Sequence, residues 1–407
     1  MAEKKKTGFA ALAQTSMVPQ EQLLEVKKKK GTFFIGLPRE ISLQENRITL
    51  TPDAVALLVN NGHQVWVETK AGLGSKFSDQ QYSEAGATIV YSPQEVYKAD
   101  VILKIEPPTQ EEIDLMRPGQ TLISAIQLGH LQPEYIQALL RKKVIALAFE
   151  FIEDKVGGMP IIRAMSEIAG STVMLIAAEY LSTAHQGKGI ILGGITGVPP
   201  TKVVIIGAGT VAEYSARAAL GMGAEVQIFD NHLYKLRRIK HLLGQQVYTS
   251  TIDTLTLSES LKTADVVIGA LRAEKGRARV VVTEEMVSKM KPDSLIIDLS
   301  IDQGGCVETS EITTLDKPVF RKYDVIHYCV PNVASRVAHT AATALSNIFT
   351  PTILRAAEEG GVEQMIFSHK WFMKGVYTYK GSLTNEHIAR RFGMKFKNIE
   401  LLMAARI

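Results

Sequence analysis

The stretch Val203-Val204-Ile205-Ile206-Gly207-Ala208-Gly209-Thr210-Val211-Ala212 decides how the rest of the chain is read. Four β-branched residues in a row suit a strand buried on both faces, and the Gly-x-Gly-x-x-Ala run after them opens into a helical stretch, Ala212 to Gly221. Gly207 permits the tight turn, Gly209 lets a pyrophosphate approach the backbone, and small Ala212 lets helix and strand pack closely. Amide groups at the helix start, around Thr210 and Val211, then face the phosphates. Asp230 follows the next apolar run, Glu225 to Phe229. An acid there accepts hydrogen bonds from the adenosine ribose hydroxyls and repels a 2′-phosphate, so the expected cofactor is NAD and the expected chemistry hydride transfer. His232, two residues on, reads as an ordinary surface histidine.

Outward from this loop the strand series continues through Gln246 to Tyr248, Asp265 to Ala270, Ser294 to Asp298 and Asp324 to Cys329. An earlier series runs Phe33 to Leu37, Gln64 to Glu68, Ala87 to Val90, Asp100 to Ile105, Thr121 to Ile126 and Val144 to Leu147. Strands alternating with helices imply parallel sheets covered on both faces. Long helical stretches, Met165 to Ala184 and Ala334 to Glu359, link the series, with a Gly- and Pro-rich hairpin-like segment at Gly187 to Pro200. The expected fold is α/β, two Rossmann-like doubly wound parallel-sheet domains joined by long helices around a cleft. The expected boundaries are a basic extension over 1–30 with a short helix around Glu21 to Lys30, a first part of the substrate domain over 31–162, a dinucleotide domain over 163–335, and a return to the first domain over 336–407.

Composition narrows the function. The 407 residues exceed one ordinary core and suit two domains. The formal charge of +4 owes its sign to Lys4-Lys5-Lys6 and Lys27-Lys28-Lys29-Lys30, clusters expected to stay solvated, so no nucleic-acid role is read from them. Cys306 and Cys329 suit buried small hydrophobes, offer no zinc spacing or disulfide framework, and leave a reducing, cytoplasmic home and no metal as the expectation. Arg163, Glu167 and Glu179 interrupt the longest apolar stretch, and the lysine-rich start lacks a following apolar segment, so neither a membrane span nor a secretory signal is expected.

In doubly wound sheets ligands lie at the carboxyl ends of the strands. That rule selects Ala270, Leu271 and Asp298 to Asp302 in the second series. In the first it selects Arg39 and Arg47, Lys104, and Gln127 with His130. Arg47 matches a carboxylate with its bidentate fork. Lys104 interrupts an apolar run, where partial desolvation would release its proton near neutral pH. A surface ion pair is the ordinary state of an isolated Arg or Lys, and only convergence at strand ends sets these apart. Asp302 precedes Gly304-Gly305, so it reads equally as part of a turn or as an acid at the rim of a nicotinamide pocket.

Several runs together resemble the alanine dehydrogenase family: Gly36-Leu37-Pro38-Arg39-Glu40, Glu45 to Pro52, Leu103-Lys104-Ile105, Met165-Ser166-Glu167-Ile168-Ala169-Gly170, Gly207 to Thr210 and Ile301-Asp302-Gln303-Gly304-Gly305-Cys306. They also look like the NAD-binding component of proton-translocating transhydrogenase, which shares the fold. The resemblance implies reversible oxidative deamination of L-alanine to pyruvate and ammonia with NAD, in a homo-oligomer, hexamer or dimer. In that scheme Arg47 and Lys104 hold the substrate carboxylate, and Asp302 assists the water and amine steps. Ser166, the Gly207 loop, Ala270, Leu271 and Asn332 contact the cofactor, with Asp230 on its ribose. Gln127 stands where the family carries a catalytic histidine, and an amide cannot shuttle a proton. His130 could replace it if the loop bends. Val330-Pro331-Asn332 stands where the family has Asn-Met-Pro. A transhydrogenase-like hydride carrier lacks its Arg-Ala-Gln-Ser-Met-Asp run here, with Gly157 to Ile162 in that place, and ranks second. A non-enzymatic NAD-binding protein ranks third.

Overall fold

The computed structural model describes residues 31–42, 44–129, 131–272 and 278–404. The basic extension over 1–30, with its expected helix, and His130 lie outside the described residues.

The first series folds as β1 (Phe34–Leu37), β2 (Gln64–Glu68), β3 (Thr88–Val90), β4 (Val101–Leu103), β5 (Thr121–Ser124) and β6 (Ile145–Ala148). The second gives β7 (Lys202–Ile206), β8 (Glu225–Phe229), β9 (Tyr248–Ser250), β10 (Val266–Gly269), β11 (Leu295–Asp298), β12 (Val319–Lys322) and β13 (Val325–Tyr328). Near the C-terminus, β14 (Val376–Tyr379) and β15 (Ser382–Leu383) return to the first sheet, whose order is β15-β14-β6-β5-β4-β1-β2-β3. The second sheet runs β12-β13-β11-β10-β7-β8-β9. Both sheets are parallel from their first strand outward to either side, with antiparallel strands only at one edge, β12 in one and β14 and β15 in the other.

Every residue of β4, β5, β6, β10, β11 and β13 is buried, as expected where helices cover both faces and the sequence shows no alternation. Each fully buried Val, Leu or Ile contributes about 1.5–3 kcal/mol, and the two faces of each sheet form separate apolar clusters. The strand order reverses between β1 and β4 in the first sheet and between β7 and β10 in the second. At such a switch point the loops diverge to opposite faces and leave a crevice.

Three helices position the two sheets: α1 (Pro160–Leu181), α2 (Thr210–Gly221) and α3 (Ala338–Glu358). The first helix starts on a proline, whose missing N–H costs nothing there. Its length and apolar composition would suit a membrane span, yet Val173, Met174, Ile176, Ala177 and Leu181 pack into the core of the second sheet. Gly170 lets α1 lie on α2, because a Cβ there would come within 2.5 Å of the Val211 carbonyl oxygen. The small residue in the Met165–Gly170 run therefore serves this helix crossing.

Candidate functional site

The loop after β7 has the shape that its glycines promise. Gly207 has φ +116°, and a Cβ there would meet the Ala270 carbonyl at 2.5 Å. That backbone contact closes the second switch point, where Ala270 N–H also donates to the Ile206 carbonyl at 2.8 Å. A Cβ at Gly209 would instead meet nothing within 4 Å. Gly209 is the N-terminal cap of α2 and provides no side-chain cap, so the amides at the helix start are presented toward open space, the arrangement that suits a diphosphate. Thr210 and Val211 are half-buried in that first turn.

Asp230 is 3% exposed. Its Oδ2 accepts from the Ala208 N–H at 2.9 Å, and Oδ1 accepts from the His232 N–H at 2.7 Å. The carboxylate thus fixes the glycine loop from beneath, and its Oδ1 also lies 3.0 Å from the His232 ring. Asp298, at the end of β11, is 1% exposed and collects the N–H groups of Ser300, Cys306 and Val307 and the Ser310 hydroxyl at 2.8–3.2 Å. Those bonds shape the loop that carries Asp302. Ser300 in turn accepts the Leu271 N–H at 3.0 Å, so the ends of β10 and β11 are tied together.

At the first switch point a ring of charge surrounds the end of β4. Lys104 is 2% exposed, with Nζ 2.8 and 3.0 Å from the two oxygens of Glu112 and 3.5 Å from Glu40. Burial works against its charge, but Glu40 and Glu112 outweigh burial and hold its pKa above the ordinary value. Lys104 is therefore a fixed cation, which corrects the expectation of a lysine that sheds its proton near neutrality. Glu112 has a second task, since with Thr109 it forms a capping box at the start of the helix Gln110–Leu115. Glu40 accepts the Ile105 N–H at 2.5 Å and the Glu106 N–H at 3.4 Å, and burial pushes its pKa up to about 7.

Arg47 does not lie with its fork open. Its Nε and Nη2 grip the two oxygens of Glu45 at 2.8 and 2.6 Å, and Nη1 points at the Met165 sulfur at 3.4 Å. Burial opposes both charges. The pair outweighs it, holding the Glu45 carboxyl below and the Arg47 guanidinium above its usual range. The bidentate partner expected to be a substrate is in this structure an internal glutamate, and the remaining nitrogen is the one directed at α1, one residue from half-buried Ser166.

The two halves meet here. Asn332, at φ +56°, donates its side-chain amide to Glu45 Oε2 at 2.7 Å, and its own N–H donates to Asp302 Oδ1 at 3.2 Å. Ser335 accepts the Asn46 N–H and donates to the Gln44 carbonyl, at 2.8 and 2.7 Å. Across the gap a Cβ at Gly129 would lie 3.5 Å from the Asp302 carbonyl. Gln127 is held at φ +47°, with its N–H on Glu150 at 3.2 Å, and its side-chain amide faces Glu106. The structure thus gathers Arg47, Lys104, Gln127, Asn332 and Asp302 around one crevice, with the Gly207–Val211 loop and Asp230 on its second-domain side. Arg39 is exposed, its N–H donating to Glu68 at 2.9 Å.

Sequence reasoning missed five acids of this crevice, Glu40, Glu45, Glu106, Glu112 and Glu150, whereas it did select Asp298 at its strand end. The Thr109-x-x-Glu112 box and the Glu45-x-Arg47 spacing were visible signals. Nothing local announces that Glu40 reaches the end of β4.

A two-domain α/β chain with facing switch points and a glycine-rich dinucleotide loop is the class of protein that this geometry defines. The family models for the N-terminal and C-terminal domains of alanine dehydrogenase/PNT match residues 36–169 and 173–386, and the chain belongs to that family. It is 39% identical over 365 residues to alanine dehydrogenase of Bacillus subtilis, covering 89% of this chain and 96% of that one. A solved L-alanine dehydrogenase superposes with a TM-score of 0.83 at 34% identity, over 88% of this chain and 99% of the other. A transhydrogenase from Sinorhizobium meliloti shares the fold, with a TM-score of 0.74 at 24% identity over 86% and 99%.

Proposed function

We propose that this protein is an NAD-dependent amino-acid dehydrogenase that interconverts L-alanine with pyruvate and ammonia. The observation that supports the reading is the contact of the two halves through Asn332, which bonds both Asp302 and the Glu45 that grips Arg47, with Gly129 close to the Asp302 carbonyl two residues from Gln127. The cofactor fits: Gly209 leaves the space a diphosphate needs, and the amides of the first turn of α2 face it. Gly207, Gly209, Thr210 and Val211 would hold the diphosphate. Asp230 would take the ribose hydroxyls on its remaining lone pairs, while Ser166, Ala270, Leu271 and Asn332 would border the nicotinamide end. NAD, when bound, supplies the hydride acceptor.

The chain's own residues do the rest. Arg47, through the nitrogen not engaged by Glu45, draws the substrate carboxylate. Lys104 adds positive potential from behind and, with Glu40 and Glu112, fixes the end of β4. Gln127 donates a hydrogen bond to the carbonyl oxygen of the oxo acid. Asp302 orients the water and the departing amine. A soluble homo-oligomer in the cytoplasm belongs to the same reading.

The test is a panel of amino acids with NAD, and of 2-oxo acids with ammonium and NADH, read by NADH absorbance. L-alanine is expected to head the first panel and pyruvate the second. NADH binding without turnover of any substrate would leave a dinucleotide-binding protein and overturn the enzymatic reading.

A further inference from the structure

We infer that Asp298 is a positioning residue of the reaction, acting through the loop that it closes to set the carboxylate of Asp302 for the water and amine steps. The inference rests on the deamination reading above, in which Asp302 does that work.

Asp298 ends β11, between β10 and β13 in the second sheet, and is 1% exposed. A carboxylate so buried must find its hydrogen-bond donors in the protein. Among the described residues it finds them all on one loop. Oδ1 accepts the Ser300 N–H at 3.0 Å and lies 3.6 Å from the Cys306 sulfur, while Oδ2 accepts the Cys306 and Val307 N–H groups at 2.9 and 3.2 Å and the Ser310 hydroxyl at 2.8 Å. Ser300 lies where the chain leaves the strand and Cys306 where it comes back, so a single side chain holds both ends of the loop.

The residues between those ends are built to double back. The 3₁₀ turn Leu299–Gln303 begins on Asp298 as its cap. Gly304 and Gly305 follow at φ +94° and +79°, and the Gly305 N–H donates to the Ser300 carbonyl at 2.9 Å. A Cβ at Gly305 would come within 3.0 Å of Asp298 Oδ2, and one at Gly269, its partner on β10, within 2.6 Å of Oδ1. Glycine at both places makes room for the carboxylate and for the loop folded over it.

Asp302 falls between the two fixed ends. On the side of the first domain its Oδ1 accepts the Asn332 N–H at 3.2 Å. On the cofactor side the Ser300 hydroxyl accepts the Leu271 N–H at 3.0 Å. Moving Asp302 along the crevice therefore means breaking bonds to Asp298, and a reacting group misplaced by about 1 Å loses on the order of a hundredfold in rate.

Asp298→Asn keeps the volume but sets amide hydrogens against N–H donors that need an acceptor. Its kcat with L-alanine should fall about a hundredfold, with NADH affinity by fluorescence kept within about threefold, because the lost bonds lie on the Asp302 loop and not on the diphosphate loop. Should that exchange prevent folding, Ser310→Ala removes one bond of the set and should lower kcat by a smaller factor. The deciding measurement is a double-mutant cycle. In an Asp302→Asn background neither change should lower the residual rate further, because the group through which it acts is already gone; a merely structural residue would lower it there too. Losses that multiply, or a wild-type kcat in Ser310→Ala and in any folded Asp298→Asn, overturn this assignment alone. A wild type inactive toward alanine and pyruvate overturns the deamination reading and this inference together.

Discussion

The side-chain amide of Asn332 donates to Glu45 Oε2 at 2.7 Å, and the same Glu45 holds Arg47 through its Nε and Nη2. One carboxylate therefore links the loop after β13 to the arginine at the mouth of the first sheet, so the relative position of the two halves and the aim of Arg47 are set together.

Replacing Asn332 with Ala should remove that link while leaving the Glu45–Arg47 pair. A hydrogen bond to a charged acceptor contributes about 1.5–3 kcal/mol. Urea unfolding of Asn332→Ala, Glu45→Gln and the double variant should show a coupling of that sign, the double costing less than the sum of the singles. Additive losses would mean that the contact carries no energy.

The glycine loop yields a contrasting pair. Gly207→Val puts a Cβ against the Ala270 carbonyl at a φ of +116°, and should lower the melting temperature and abolish NADH binding. Gly209→Val adds its side chain to open space. It should melt like the wild type yet bind NADH at least tenfold more weakly, as measured by fluorescence titration. Equal binding by both proteins would remove the diphosphate from that loop.

Lys104→Met keeps the stem of the side chain but strands Glu40 and Glu112 around an absent cation. Breaking a buried ion pair from one side costs about 3–5 kcal/mol. The variant should lose stability on that scale and lose alanine turnover, while NADH binding in the folded fraction persists. A melting temperature equal to the wild type would show that the lysine is dispensable to the fold.

Glu40 gives stability a pH dependence whose sign follows from its raised pKa. Below its ordinary 4.5 it is protonated in both states; between 4.5 and about 7 the folded chain keeps a proton that the unfolded chain has released, so stability falls as pH rises; above about 7 the loss is complete. At 1.36 kcal/mol per pH unit the share is about 3 kcal/mol. Glu40→Gln should lack that share of the decline in melts recorded from pH 4.5 to 8.

Local pattern carried the series of strands, the glycine loop with Asp230, and the short runs that resemble alanine dehydrogenase, because a period, a turn and a backbone approach are each dictated by neighbours in the chain. The return of the C-terminal segment was expected because it is too short to be a domain of its own. The antiparallel edge strand β12 and the ends of β4 and β5 were not, since pairing partners, not propensity, decide where strands stop.

From the sequence by itself Arg39, Arg47, Lys104, Gln127, His130 and Asp302 were expected at strand ends facing a cleft, with a surface ion pair or a plain turn left open for several of them. Only the tertiary structure decided what Lys104, Arg47 and Gln127 are there. Glu40 and Glu112 close on Lys104 and fix its charge, Glu45 takes the fork of Arg47, and Glu106 comes to face Gln127. The reason is that charge and proton affinity depend on burial and on groups within a few ångströms in space, and no spacing along the chain records how Glu40 comes to lie beside Lys104.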